Sequence, residues 1–135
     1  MILVDEAGEN LISVASGANH ALTPQELEPA ADRIRTAGAR HVIVTLGAKG
    51  ALLAGPDRTA LIPSEKVDAI DTTAAGAAFN GGLAWALGCG MELERAVRQA
   101  CLVGALSAMR LGAQPSLPTK EELDCFTERG CPSSR

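Results

Sequence analysis

The sequence predicts an α/β fold: a small, largely parallel sheet flanked by helices, with a β-hairpin at its N-terminus. Three observations carry this. Lys66-Val-Asp-Ala-Ile70 reads as a short strand that enters a turn of small residues and leads straight into an apolar helix through Trp85 and Leu87. Upstream, a capped helix is followed by His41-Val-Ile-Val-Thr-Leu46, a continuous apolar run of strand length that reads as a buried strand. Hydrophobic residues make up 47% of the chain and aromatic ones only 2%. The core is therefore mostly Ala, Val, Leu and Ile, which suits close-packed helices on a sheet.

Taken in order, Met1 to Ser16 reads as two strands around a turn. Met1-Ile-Leu-Val4 is apolar, Asp5-Glu-Ala-Gly8 is turn chemistry, and Asn10 to Ala15 alternates loosely. An isolated hairpin is marginal in water, so its apolar side needs a cover. Thr23-Pro-Gln-Glu26 is a capping box with proline at the first helical position. The helix it opens carries Leu27, Ala30, Ala31 and Ile34 at helical spacing and stops at Gly38. After the His41–Leu46 strand, Gly47-Ala-Lys-Gly50 turns the chain into Ala51–Ala54, and a further strand, Thr59–Ile62, follows. The helix from Ala74 to Leu87 ends near Gly88 and Gly90. A second apolar helix spans Glu92 to Arg110, with Glu92 and Glu94 at its positive end and Arg110 at its negative end. Its inner face is Ala96, Ala100, Val103 and Leu106. Gly112-Ala-Gln-Pro-Ser116 is a loop, and Thr119-x-x-Glu122 caps a last helix through Phe126. The expected division is a hairpin at 1–20, an α/β unit at 21–128 and a flexible tail at 129–135.

A chain of 135 residues is one domain with room for a core. The net charge of −4, with no basic cluster, argues against nucleic acid. No apolar run reaches the roughly 18 residues that a bilayer span needs. The N-terminus lacks a basic n-region, so no signal peptide and a cytoplasmic location are expected. Cys89, Cys101, Cys125 and Cys131 form no Cys-x-x-Cys pair, and His20 and His41 are the only imidazoles. Reduced thiols rather than a metal site are expected.

The stretch with chemistry in it is Asp71-Thr-Thr-Ala-Ala-Gly-Ala-Ala-Phe-Asn-Gly-Gly82. A strand, a small-residue turn and a helix N-terminus make an anion site, because the first helical amides lack internal partners and the dipole is positive there. Small residues at Ala74, Ala75 and Gly76 let a phosphate approach the backbone. Standing alone, an Ala/Gly-rich turn reads as an ordinary strand-to-helix connection, because lone glycine motifs are weak signals. The wording is more particular than that. It resembles the second signature of the ribokinase family (PfkB-type sugar kinases) at every position but one. The departure is Ala77, where the family carries the aspartate that takes the proton from the sugar hydroxyl.

The resemblance continues from Ala30 to Phe126. The order Thr45-Leu-Gly-Ala-Lys-Gly50, Asp71-Thr-Thr-Ala-Ala-Gly76, Gly112-Ala-Gln-Pro-Ser116 looks like the C-terminal third of a ribokinase. Met1 to Asn19 resembles the family's lid hairpin, which often pairs with a second subunit. The Gly-Gly-rich sugar-binding segment and the middle segment with an Asn-x-x-Glu motif have no counterpart, and the join falls near Glu28–Ala30. Truncation, internal deletion and redesign of the fold all account for this.

The resemblance implies a ribokinase-like, Rossmann-like fold, ATP or ADP with Mg2+, and ancestrally phosphoryl transfer to a sugar hydroxyl such as that of ribose. It implies that the amides of Ala74, Ala75, Gly76 and Ala77 form the anion hole. Thr45, Gly47 and Gly50 would lie beside the nucleotide. Asp71, Thr73, Ser107, Gly112 and Ser116 match positions that hold a monovalent cation such as K+; Asp71 is otherwise a helix-capping carboxylate. Alanine accepts no proton, and neither Asp68 nor Asn80 is placed to substitute. A general base is worth roughly 10²–10⁴ in rate. A weak or inactive, homo-oligomeric kinase fragment is therefore expected; the alternative is a non-catalytic oligomerisation or partner-binding module.

Overall fold

The computed structural model describes residues 2–4, 10–12 and 24–129. Strands β1 (Ile2–Val4) and β2 (Asn10–Ile12) pair antiparallel, with Ile2 opposite Ile12 and Val4 opposite Asn10. The turn between them, the Gly17-Ala-Asn19 stretch, His20, the Thr23 cap and the tail with Cys131 lie outside the described residues.

Helix α1 (Pro24–Thr36) ends where Gly38 takes φ 117°. There the Gly38 amide donates to Arg35 O and the Ala39 amide to Ile34 O, so two orphan carbonyls are satisfied beyond the last turn. Three strands follow, β3 (Val42–Thr45), β4 (Ala51–Ala54) and β5 (Thr59–Ile62), in the spatial order β3-β4-β5. Both pairings are antiparallel. The largely parallel sheet expected from sequence is thus corrected. The links at 46–50 and 55–58 are hairpin-length, whereas a parallel crossover needs about a dozen residues or more. Two further readings change. The β3 strand is only half-buried because it lies at the sheet edge; β4, at the centre, is fully buried. Lys66–Ile70 forms no strand, since the Ile70 amide donates to a helix-end carbonyl, Ala108 O, rather than to a ladder.

Alternation along β4 divides the core. Ala51 and Leu53 join Ile62, Phe79, Val97, Ala100 and Cys101 in one cluster. Leu52 and Ala54 face the other way, where α1 packs on β3 and β4 and buries Ala31. Helices α2 (Ala75–Gly88) and α3 (Leu93–Ala108) form the broadest contact among the described residues. They approach closely because a Cβ on Gly82 would lie 2.9 Å from Val103 Cβ. Helix α4 (Lys120–Arg129) adds Leu123 to a second cluster with Ala78, Leu102, Val103 and Leu106. Glu92, expected within the α3 helix, instead caps it, accepting from the Glu94 and Arg95 amides at 3.1 and 3.3 Å. Phe79 is the one aromatic side chain in the sheet-facing cluster. Phe79→Ala should cost about 3–5 kcal/mol, read from the urea midpoint. A loss under about 1 kcal/mol would show that the cluster collapses around the cavity. Among the described residues, no helix is long and apolar enough to cross a membrane.

Candidate functional site

The turn that feeds α2 is laid on the end of α3. The Ile70 and Asp71 amides both donate to Ala108 O, at 2.8 and 3.1 Å. The Asp71 carboxylate then clamps two segments. Its Oδ1 accepts from the Thr73 amide at 2.9 Å and the Thr73 hydroxyl at 2.5 Å; its Oδ2 accepts from the Gly112 amide at 2.9 Å. The Thr73 hydroxyl, then the Gly112 and Thr73 amides, hold the Asp71 carboxyl below the usual carboxylate range, against a small opposing effect of burial. Asp71 does not cap α2 itself, whose N-cap is Ala74 with no side-chain bond.

At the start of α2 the Ala75 amide reaches Thr72 O at 3.2 Å and the Ala78 amide reaches Ala74 O at 2.8 Å. The Gly76 and Ala77 amides between them have no acceptor among the described residues. Ala74 is buried, whereas Gly76 and Ala77 are exposed. A Cβ at Gly76 would meet nothing within 4 Å. Two donors of the positive helix end are therefore left without a partner among the described residues, at exposed positions. Asp68 and Asn80 are exposed.

The Ser107 and Ser116 hydroxyls lie 2.9 Å apart and both residues are buried. Ser116 Oγ donates to Ala113 O at 2.7 Å, so its partner Ser107 is left to donate to Ser116. The structure thus brings Asp71, Thr73 and Gly112 together through one carboxylate and pairs Ser107 with Ser116. No hydrogen bond joins these two groups directly. Past α3, Arg110 grips Glu122 at 2.5 and 3.2 Å, and Glu122 accepts from the Thr119 amide at 2.9 Å. Thr119 Oγ1 in turn accepts from the Glu122 amide at 3.3 Å, completing the box read from sequence.

Thr45, Gly47 and Gly50 sit elsewhere, on the β3–β4 turn. Leu46 N donates to Gly50 O at 2.7 Å and Gly50 N to Gly47 O at 3.0 Å. No hydrogen bond among the described residues links this turn to Asp71–Ala77 or to the serine pair. It does press on the exit of β5, since a Cβ at Gly50 would stand 2.7 Å from Ser64 N.

The profile described as pfkB family carbohydrate kinase matches residues 17–120. The chain belongs to that family. A ribokinase of Haemophilus influenzae is 38% identical over 104 residues, which cover 77% of this chain and 34% of the relative. The crystal structure of ribokinase from Thermotoga maritima superposes with TM-score 0.75 at 44% identity, over 80% of this chain and 35% of that one. A fructokinase double mutant from Vibrio cholerae, solved with fructose, ADP and a potassium ion, gives TM-score 0.69 at 36% identity, over 74% and 34%. The chain therefore spans about a third of the length of the relatives it matches, and its fold is ribokinase-like α/β.

In this pfkB-family chain the signature turn offers backbone donors and no carboxylate at Ala77. Sequence reasoning missed the Ala108 carbonyl, which anchors the turn, and the Gly112 amide, which locks Asp71. Neither is a side chain, so no residue pattern announces them. Acid should loosen this assembly. Asp71 and Glu122 both have lowered pKa values, the latter first through Arg110 and then the Thr119 amide. The native state binds fewer protons than the unfolded chain, so their contribution is complete above about pH 4–5 and lost as pH falls through the folded values. Urea midpoints between about pH 7 and 3 should fall less steeply in Asp71→Asn than in the parent. Parallel curves would sever Asp71 from the acid response.

Proposed function

We propose that the chain is the nucleotide-binding part of a ribokinase-like sugar kinase: it binds ATP and ADP, and its transfer chemistry is weak or absent. One observation carries the reading, the unpartnered amides of the exposed Gly76 and Ala77 at the start of α2 within the family's signature turn. Together with the backbone of Ala74 and Ala75 they would receive the charge of a transferring phosphoryl group. Such donors matter most where negative charge develops, and phosphoryl transfer depends almost wholly on positioning and charge stabilisation. They survive the loss of a side chain; the proton acceptor does not, because Ala77 stands in its place.

Thr45, Gly47 and Gly50 are assigned beside the nucleotide, with residues 1–20 as a lid, 21–128 as the nucleotide unit and 129–135 as a tail. Asp71, Thr73, Ser107, Gly112 and Ser116 supply carboxylate, hydroxyl and carbonyl oxygens, a set suited to a hard monovalent cation such as K+. No cluster of three or more His, Cys, Asp or Glu side chains able to hold a metal occurs among the described residues. Mg2+ would accordingly arrive on the nucleotide phosphates. ADP at a hundredfold excess over its Kd should stabilise the fold by about 2.7 kcal/mol, seen as a raised thermal midpoint. Calorimetry showing ribose binding and no nucleotide binding would overturn the reading.

A second reading, an oligomerisation module, is favoured by the exposed apolar side chains. Leu111 and Ile70 are 74% and 65% exposed, and Leu61 on β5 is half-exposed. Among the described residues the outer edges of β3 and β5 have no partner strand, and such edges invite pairing. Self-association at micromolar concentration is expected in sedimentation. A well-folded monomer at high micromolar concentration would remove this reading.

A further inference from the structure

Gly104 stands buried in the middle of α3, where alanine would be the better helix former. Its surroundings supply a reason for the glycine. A Cβ there would lie 3.1 Å from Ala75 O, on the first turn of α2, and 3.7 Å from Phe79 Cβ, one turn further on. Four residues along, Ala108 O holds the Ile70 and Asp71 amides; four further, the Gly112 amide holds Asp71 Oδ2. One line along α3 and its exit thus supports the whole turn: Ala108 and Gly112 fix its entry by hydrogen bonds. Gly104 leaves room for its far end, since a Cβ there would crowd the Ala75 carbonyl. The Gly76 and Ala77 amides begin just after the carbonyl that a Cβ on Gly104 would crowd.

We propose that Gly104 is a positioning residue for the phosphate turn. By lacking a side chain it lets the Ala75 carbonyl seat against α3, and that seating aims the Gly76 and Ala77 amides. Gly82 plays a different part, since a Cβ there would meet the Val103 side chain rather than the turn, and so sets the spacing of the two helices. The inference rests on the reading that these amides hold nucleotide phosphate, and the test separates the two.

The variant is Gly104→Ala, compared with Gly88→Ala at the far end of α2, where a Cβ meets nothing within 4 Å. Two quantities are read: the amide resonances of Gly76 and Ala77 without ligand, and the ratio of ADP to adenosine affinity. In Gly104→Ala both resonances should move, and the ADP-to-adenosine ratio should fall about tenfold with adenosine binding unchanged, the scale of one impaired charge-assisted hydrogen bond. Gly88→Ala should alter neither. Unmoved resonances, or ADP and adenosine weakening together, would overturn the proposal, as would failure of Gly104→Ala to fold, which marks a plain packing role. If the parent binds ADP no better than adenosine, the nucleotide reading fails; the resonances alone then decide whether Gly104 positions the turn.

Discussion

Gly50→Ala is expected to lose on the order of 3–5 kcal/mol of stability or to prevent folding, the largest effect of any single methyl group added to the sheet region. Two independent costs coincide there. The backbone sits at φ 98° and ψ −131°, a region nearly closed to residues with a side chain. The added Cβ would also stand 2.0 Å from Ile62 O, 2.7 Å from Ser64 N and 2.8 Å from Pro63 C. A Cβ has no rotamer with which to escape, so backbone must move. Opening the turn would break the 2.7 Å bond from Leu46 N to Gly50 O; shifting residues 62–64 would disturb the buried Ile62. Gly47→Ala supplies the comparison. It has φ 58° but open space around its Cβ, so it should cost only about 1–2 kcal/mol. Urea denaturation of the two variants separates strain from collision. A Gly50→Ala protein within about 1 kcal/mol of the parent would mean that the turn does not press on the β5 exit.

That contrast also explains what the sequence could and could not disclose. Punctuation was legible because it is local. Gly38 stops α1, the Thr119–Glu122 box opens α4, and Gly90, at φ 79°, closes α2 with its amide on Leu87 O. Strand direction was not legible from apolar runs, because a buried strand has the same composition whichever way its neighbour runs. The clue lay in the spacing: Gly47 to Gly50 and Gly55 to Arg58 leave too little chain for a crossover. Lys66–Ile70 has the residues of a strand, but a strand requires a partner, and the acceptor it found was the end of a helix. The signature turn itself was readable, since it is written in side chains and in their absence. The Asp71 to Gly112 bond joins residues 41 apart and ends on a backbone amide, so only the fold could reveal it.

On the proposed reading, in which Ala77 stands where a base is needed and the sugar scaffold is lacking, Ala77→Asp should not produce ribose-dependent ATP turnover. The exposed position at the start of α2 tolerates a carboxylate, and the helix dipole should favour it by about 0.3–1 kcal/mol, so folding is not at risk. A general base contributes roughly 10²–10⁴ in rate, but only to a hydroxyl held within hydrogen-bond reach. Holding that hydroxyl in place matters more, about 7–11 kcal/mol when reactants are fully oriented. On the reading proposed above, these 135 residues supply the nucleotide part and not the sugar-binding segments. The variant should therefore regain the group that accepts the proton and still lack the groups that deliver it. Its nucleotide affinity should fall about threefold to fivefold, since like charges about 4–5 Å apart at a water-facing site repel by about 1 kcal/mol. Added salt should shrink that difference. A coupled ADP-release assay on the parent and Ala77→Asp, with and without ribose, gives the answer. Ribose-dependent turnover in the variant at ordinary kinase rates, about 1–100 per second, would show that a working sugar site is present and that Ala77 alone silences it.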